Sequence, residues 1–381
     1  MRIGIPKETY PGETRVALIP GNLSTLTRDK HEVLVEAGAG LGASFSDDEF
    51  KSLGAVVIAS VRSLYEQSDI IFKVQAPSTQ EAEMMREGSS YIGYLAPLTK
   101  LDTVRILAAR RITSFSMEYI PRITRAQSMD ALSSMATVSG YKAVLLATEK
   151  LGKMFPLLMT AAGTVPAATV LVLGAGVAGL QAIATAKRLG ARVEAFDVRA
   201  AVKEQIKSLG ATFIEVEGAE DMETKGGYAK EQSEEFLKKQ QATLVSRLSK
   251  VNAVITTAQV FGKKAPILLT KEMVAAMRPG SVIVDLAAEQ GGNCELTEEG
   301  KTIEWRGITI IGAVNLPATI PVDASLMYSK NVINLFKLLY PKPDASPDFK
   351  DEIVKGACIT RNGEIVNEAV RAAEGEGGKA S

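Results

Sequence analysis

The stretch "VLVLGAGVAGLQAIATAKRLGARVEAFD", residues 170–197, decides the fold. It opens with an apolar run of strand length and turns through Gly174, Gly176 and Gly179 into a segment of helical spacing. It closes on a second apolar run ending in Asp197. Side chains at such a turn would hold a pyrophosphate away from the amides at the helix N-terminus, where the dipole and the unpaired N–H groups favour an anion. A bare glycine pattern also serves plain packing of helix on strand. Here the strand, the helix and an acid at an offset of roughly 20 residues agree. The reading is a dinucleotide-binding unit in which Asp197 accepts from the adenosine ribose hydroxyls. A carboxylate there repels a 2′-phosphate, so NAD is preferred to NADP, and Arg199 takes a surface or ribose-edge role.

The pattern extends on both sides of this unit. Downstream, "ATVLVLG", "ARVEAFD", "ATFIEV", "NAVITTA", "GSVIVDLA" and "ITIIGA" give six strands of one sheet. Upstream, "RIGI", "EVLVE", "AVVIA", "DIIFKV", "SYIGYL" and "ITSFSME" give six more, with polar segments between them long enough for crossover helices. The expected fold class is α/β, with two doubly wound parallel-sheet (Rossmann-like) domains separated by a cofactor cleft. The expected domains are 1–132 with 323–381, and 133–322. "SSMATVSGYKAVLLATEKLG", residues 133–152, has helical spacing and reads as the linker. After Pro321 a helical pattern leads to "ACITRNGEIV", where Asn362-Gly363 suits a tight hairpin, and this tail is expected to return to the first domain. Residues 217–241 are strongly charged. They read either as a solvated surface helix or as a mobile lid, in which Gly226-Gly227 frees the backbone before Tyr228 as an aromatic cover.

Composition narrows the function. The 381 residues carry 44 Lys plus Arg against 44 Asp plus Glu, with no basic cluster, so no nucleic-acid footprint is visible. One histidine, His31, and two cysteines, Cys294 and Cys358, supply neither a zinc or iron ligand set nor a disulfide framework, and the expectation is a cytosolic, metal-free protein. Residues 154–186 carry no charge. Pro156, Pro166 and the glycines cut that stretch into pieces, so it reads as a buried strand-turn-helix rather than a membrane span. The N-terminus, "MRIGIPKE", shows no signal peptide.

A second constellation lies at "RITRAQSMDALSS", residues 122–134. Gln127 offers a donor and an acceptor that match a carboxamide, and Asp130 can take ribose hydroxyl protons and pair with Arg122. A helix starting near Ser128 would put Asp130 and Ser133 on one face. The bland alternative, Ser128 as N-cap, requires neither Gln127 nor Arg122.

With "MRIGIPKETYPGETRVALIP", "HEVLVEAGAGLGASFSDDEF" and "IIFKVQAP", the chain resembles, over nearly its whole length, the family joining alanine dehydrogenases to the NAD-binding components of proton-translocating nicotinamide nucleotide transhydrogenases. In alanine dehydrogenases, cations at the positions of Arg15 and Lys73 hold the substrate carboxylate, and a histidine serves as acid and base. Here Tyr94 of "YIGYLAPLTK" stands in that histidine's place. Oxidising an amino acid sheds a proton as well as a hydride, so a base of near-neutral pKa is needed, and the usual one is missing. Arg15 and Lys73 are therefore expected to be structural ion-pair partners.

The 122–134 stretch resembles the loop of the transhydrogenase branch. That resemblance implies that Arg122, Gln127, Asp130 and Ser133 surround the nicotinamide and its ribose. It further implies contacts from Val177 over the pyrophosphate turn, where the glycine pattern already sets Gly174, Gly176 and Gly179 with Ala178 among them, and from Asp197, Val198 and Arg199 at the ribose. Gly227 and Tyr228 fall at the lid, and Gln240, Ala258 and Gln259 near the adenine, where Gln259 departs from the usual apolar residue. The implied reaction passes a hydride from NAD(H) on this chain to NADP(H) on a partner subunit, with Gln127 and Asp130 orienting rather than exchanging protons. Implied partners are NADP-binding and membrane-spanning subunits and a second copy in a homodimer, with the chain peripheral on the inner face of the cell membrane. An amino-acid dehydrogenase is the alternative, and a non-catalytic NAD sensor a third reading.

Overall fold

The computed structural model describes residues 1–216, 234–260, 262–342 and 345–377. Two compact units emerge, residues 1–135 with 317–381 and residues 136–316, and each is built on one large sheet. Their division falls inside the helix Ala131–Lys150.

In the first unit, β1 (Arg2–Ile5), β2 (Glu32–Glu36), β3 (Val56–Ile58), β4 (Ile70–Phe72), β5 (Ser90–Gly93) and β6 (Thr113–Ser116) are the six strands expected from the apolar runs. Ile3, Ile5, Val33, Val35, Ile70, Ile71 and Phe72 are fully buried, as a parallel sheet covered on both faces requires. The tail adds β16 (Cys358–Arg361) and β17 (Glu364–Ile365), giving the order β17-β16-β6-β5-β4-β1-β2-β3. Asn362 and Gly363 both take positive φ, 52° and 93°, which closes the β16–β17 hairpin as the Asn-Gly pair demands. β1 pairs in parallel with β2 on one side and β4 on the other, so the winding reverses between β1 and β4. In open α/β sheets ligands bind at the carboxyl ends of the strands beside such a reversal.

The helix Pro321–Leu339 carries Pro in its first turn and buries Tyr328, Val332, Leu335, Phe336 and Leu339 against this sheet. Its small polar residues grip backbone. The Ser325 hydroxyl accepts from the Val16 amide at 3.0 Å, and the Tyr328 hydroxyl donates to the Lys73 carbonyl at 2.7 Å.

The second unit contains β7 (Leu158–Thr160), β8 (Gly163–Val165), β9 (Thr169–Leu173), β10 (Arg192–Phe196), β11 (Thr212–Phe213), β12 (Ala253–Thr256), β13 (Val282–Asp285), β14 (Thr302–Trp305) and β15 (Ile308–Gly312). Its sheet runs β11-β10-β9-β12-β13-β15-β14, with the reversal between β9 and β12. Two features differ from expectation. β14 is a seventh strand, antiparallel at the edge, whose alternation of exposed and half-buried residues carries no continuous apolar run. The charge-free stretch 154–186 is only partly the expected buried strand-turn-helix. It begins with the antiparallel hairpin β7–β8, where Met159 is 81% exposed. No helix among the described residues is long and apolar enough to cross a membrane.

Candidate functional site

At the reversal of the second sheet, β9 runs through the glycine turn into the helix Val177–Arg188. The three glycines have three different reasons. Gly174 has a φ of +94°, and a Cβ there would stand 2.7 Å from the Thr257 hydroxyl. A Cβ on Gly179 would stand 1.9 Å from the Gly174 carbonyl oxygen, so helix and strand can approach only without it. Gly176 is different: its φ is an ordinary −72°, and a Cβ there would meet nothing within 4 Å. Gly176 is also the N-cap and supplies no side-chain cap, and among the described residues no side chain bonds the first amides of this helix. Val177, 43% exposed, and half-buried Ala178 form its first turn. The site therefore combines a bare helix N-terminus with open space in front of it, which suits a phosphate group.

Asp197 follows β10 and is largely buried. Its Oδ2 accepts from the Ala175 amide at 2.7 Å and from Arg199 Nη2 at 2.8 Å. Its Oδ1 accepts from the Arg199 amide and from Arg199 Nε, both at 2.9 Å. Burial opposes the charge, but the hydrogen bonds and charge of Arg199 and the amide of Ala175 outweigh it and hold the carboxyl below its usual pKa. Those four donors fill the four acceptor positions of a carboxylate, so a ribose hydroxyl can enter only where Arg199 yields. Val198 beside it packs on the sheet's apolar core.

The facing loop after β12 is held by residues the sequence did not single out. Asp285, at the end of β13 and fully buried, accepts five hydrogen bonds, from Thr256 Oγ1, Thr297 Oγ1 and the amides of Ala287, Asn293 and Cys294. Asn293, locked by that carboxylate, accepts from the Ala258 amide at 3.0 Å and donates to the Ala258 carbonyl at 2.8 Å. Ala258 is thereby fixed through both of its backbone groups. Gln259 is exposed and donates to the Leu286 carbonyl at 2.8 Å. Gln240, on the helix Glu234–Leu248, is 3% exposed, and its Oε1 is buried without a hydrogen-bond partner among the described residues. Gly227 and Tyr228, and with them most of the expected lid, lie outside the described residues.

In the first unit, residues 124–129 form a 3-10 turn and the helix starts at Ala131, not near Ser128. Asp130 caps it. Its Oδ1 accepts from the Ser133 amide at 2.9 Å and its Oδ2 from the Ser133 hydroxyl at 2.6 Å. Ser128 is therefore not the N-cap, and Asp130 and Ser133 are neighbours because one caps the other. Ala126 and Met129 are buried, whereas Arg122 and Gln127 are exposed.

The reversal of the first sheet is filled by its own charges. Lys73, 1% exposed, stands 2.9 Å from Glu81 and 3.4 Å from Glu8. Burial works against the ammonium, but the two carboxylates raise its pKa. Arg15 pairs with Glu13 through Nε at 2.7 Å and Nη2 at 2.6 Å, and Gln75 also donates to Glu13 at 2.7 Å. Burial would raise the Glu13 carboxyl, yet these partners bring it to about 2. Both cations are thus engaged in buried ion pairs, as expected. Tyr94 packs on the ring of Tyr328 at 5.4 Å between centroids, and desolvation raises its hydroxyl pKa well above the ordinary value. It stays protonated near neutrality.

Comparisons with known proteins agree with this architecture. The description "Alanine dehydrogenase/PNT, N-terminal domain" matches residues 4–139 and "Alanine dehydrogenase/PNT, C-terminal domain" matches residues 143–368. Over 379 residues the chain is 48% identical to an NAD(P) transhydrogenase alpha-subunit protein of Rhodospirillum rubrum, covering 97% of this chain and 99% of that one. It is 29% identical to alanine dehydrogenase of Bacillus subtilis, covering 97% and 94%. Among solved structures, the transhydrogenase from Sinorhizobium meliloti matches with a TM-score of 0.85 at 41% identity, covering 97% and 100%. An L-alanine dehydrogenase matches with a TM-score of 0.83 at 25% identity, covering 99% of each chain. With its two wound sheets, its glycine turn and both family domains matched, this chain belongs to the alanine dehydrogenase/PNT family.

Proposed function

We propose that the chain is the NAD(H)-binding subunit of a proton-translocating transhydrogenase. The observation that carries this reading over an amino-acid dehydrogenase is the state of the first sheet's reversal. Arg15 and Lys73 are engaged by buried carboxylates, and Tyr94, in the place of a catalytic base, holds its proton near neutral pH. A chain so built can orient a redox partner, while the position that would take an amine's proton is held by a protonated tyrosine.

NAD(H) fits the residues present. A Cβ at Gly176 would meet nothing within 4 Å, and the pyrophosphate is assigned to that space at the helix N-terminus, with Asp197 and Arg199 at the ribose. The orphaned Gln240 Oε1 lacks the donor that an adenine amine would supply, and Ala258 presents a backbone fixed by Asn293. Arg122, Gln127, Asp130 and Ser133 are proposed to hold the nicotinamide end, with Gln127 meeting the carboxamide and Asp130 the ribose. Bound NADH supplies the hydride at its nicotinamide C4, and NADP on a partner subunit receives it. The chain's task is orientation, because hydride transfer between two nicotinamide rings exchanges no proton. The same reading gives the chain membrane-spanning partner subunits, a homodimeric state and a peripheral place at the membrane.

The test mixes the purified chain with an NADP-binding transhydrogenase component. Direct hydride exchange is expected, and Gln127→Asn should slow that step more than it weakens NADH binding. Tight NADH binding with no exchange, or turnover of alanine with pyruvate and ammonia as products, would defeat the proposal.

A further inference from the structure

Six residues is long for a 3-10 turn such as Thr124–Met129, because the hydrogen bonds of this geometry are poorly aligned. Something outside must fix it. The Ser128 carbonyl accepts two side-chain amides, Asn331 Nδ2 at 2.9 Å and Asn334 Nδ2 at 3.0 Å. Residues three apart on a helix share a face, so one edge of the helix Pro321–Leu339 grips both lone pairs of one carbonyl. That carbonyl belongs to the residue after Gln127 and lies two before Asp130. The far end of the segment is fixed separately, by the cap between Asp130 and Ser133.

Asn331 carries a cost. It is 5% exposed, and its Oδ1 is buried with no partner among the described residues, which an apolar residue would avoid. Its donor is what that cost secures. Asn334 is half-buried and stands outside the apolar core, yet its amide aims at the same atom.

We infer that Asn331 and Asn334 are positioning residues for hydride transfer, holding Gln127 in place through the Ser128 carbonyl. This rests on the reading of Gln127 as the group that orients the nicotinamide. A misplacement of about 1 Å at such a group costs on the order of 100-fold in rate, whereas binding is spread over many contacts. The two asparagines should therefore affect rate far more than affinity.

The experiment compares the full-length wild-type chain with Asn334→Ala, Asn331→Ala with Asn334→Ala, and Gln127→Asn. Four quantities are read: amide hydrogen exchange of residues 124–130 without NADH, NADH Kd by fluorescence titration, thermal midpoint, and single-turnover hydride transfer to NADP on an added NADP-binding component. For Asn334→Ala, exchange in the turn should rise at least about fivefold, as expected for losing one such hydrogen bond. The transfer rate should fall about 5- to 10-fold, with Kd within about twofold and the midpoint nearly unchanged. The double variant should fall further, and the single variant at half-buried Asn334 keeps the test valid where the double one folds poorly. Unchanged exchange and rate in Asn334→Ala overturn the inference, as does a fall in affinity that matches the fall in rate. A Gln127→Asn protein with full rate removes the reading of the site, and this proposal with it, even where exchange shows a loosened turn.

Discussion

Gly176 and Gly179 stand three residues apart in one turn, and replacing each by alanine should have opposite consequences. At Gly179 the new methyl would lie 1.9 Å from the Gly174 carbonyl oxygen and 2.9 Å from its carbon, both backbone atoms that cannot rotate away. The strand and helix must separate, and overpacking of this kind costs about 1–3 kcal/mol or more. At Gly176 the methyl meets nothing within 4 Å and φ is already −72°, which alanine adopts freely. Losing glycine's unfolded-state freedom stabilises by about 0.4–1 kcal/mol, and losing a good N-cap costs a similar amount, so folding stability should stay within about 1 kcal/mol. That methyl would, however, occupy the space in front of the helix amides. Two charge-assisted hydrogen bonds to a pyrophosphate, at about 1.5–3 kcal/mol each, would be lost or stretched, a loss of affinity on the order of 100-fold or more. Denaturant unfolding and NADH fluorescence titration separate the two effects. Gly176→Ala should fold normally and bind NADH poorly, while Gly179→Ala should lose stability. A Gly176→Ala protein that binds NADH within about threefold of the unmodified chain would refute the assignment of the open space to the pyrophosphate.

Acid should unfold the first unit in part through Glu13. Its carboxyl falls from an ordinary 4.5 to about 2 when folded, so its contribution is present above pH 4.5 and lost as the pH falls towards 2. That share is about 3 kcal/mol, and Glu13→Gln should flatten the acid limb of a stability-against-pH curve; an unchanged limb counts against the pairing. Lys73→Met leaves Glu8 and Glu81 buried without their cation and should cost about 3–5 kcal/mol, with a loss under about 1 kcal/mol in a denaturant titration counting against a structural role. Asp197→Ser leaves the Arg199 guanidinium without its carboxylate where NADP carries its phosphate. The ratio of NADH to NADPH affinity should fall at least about tenfold, read by competitive titration, and an unchanged ratio would remove Asp197 as the specificity determinant.

Much of the fold is written in continuous apolar runs. Strands such as "IIF" and the "VIV" of β13 are buried on both faces, so apolar residues follow one another and the run stands out. β14 escapes the same reading because an edge strand needs an apolar residue only at alternate positions, and "TIEW" alternates. The glycine turn is legible because backbone geometry leaves no substitute at Gly174 or Gly179. Asp285 is not legible, since "VIVD" and "EAFD" end alike. Only the fold shows that one aspartate is consumed by five internal donors while the other pairs with Arg199 at the turn. Ser128 and Asp130 are both good N-caps by residue type, and the intervening 3-10 turn moves the helix start to the second. Of the partners of Lys73, Glu8 lies far from it in sequence, which local pattern cannot reveal.

On the proposed function, hydride passes directly from NADH on this chain to NADP on a partner, with no proton taken from or given to water. NADH deuterated at both nicotinamide C4 positions, mixed in ordinary water with the chain, an NADP-binding component and NADP, tests it by mass spectrometry of the product. The account predicts NADPH carrying one deuterium per molecule formed. NADPH without the label, or no NADPH while NADH remains bound, would contradict it.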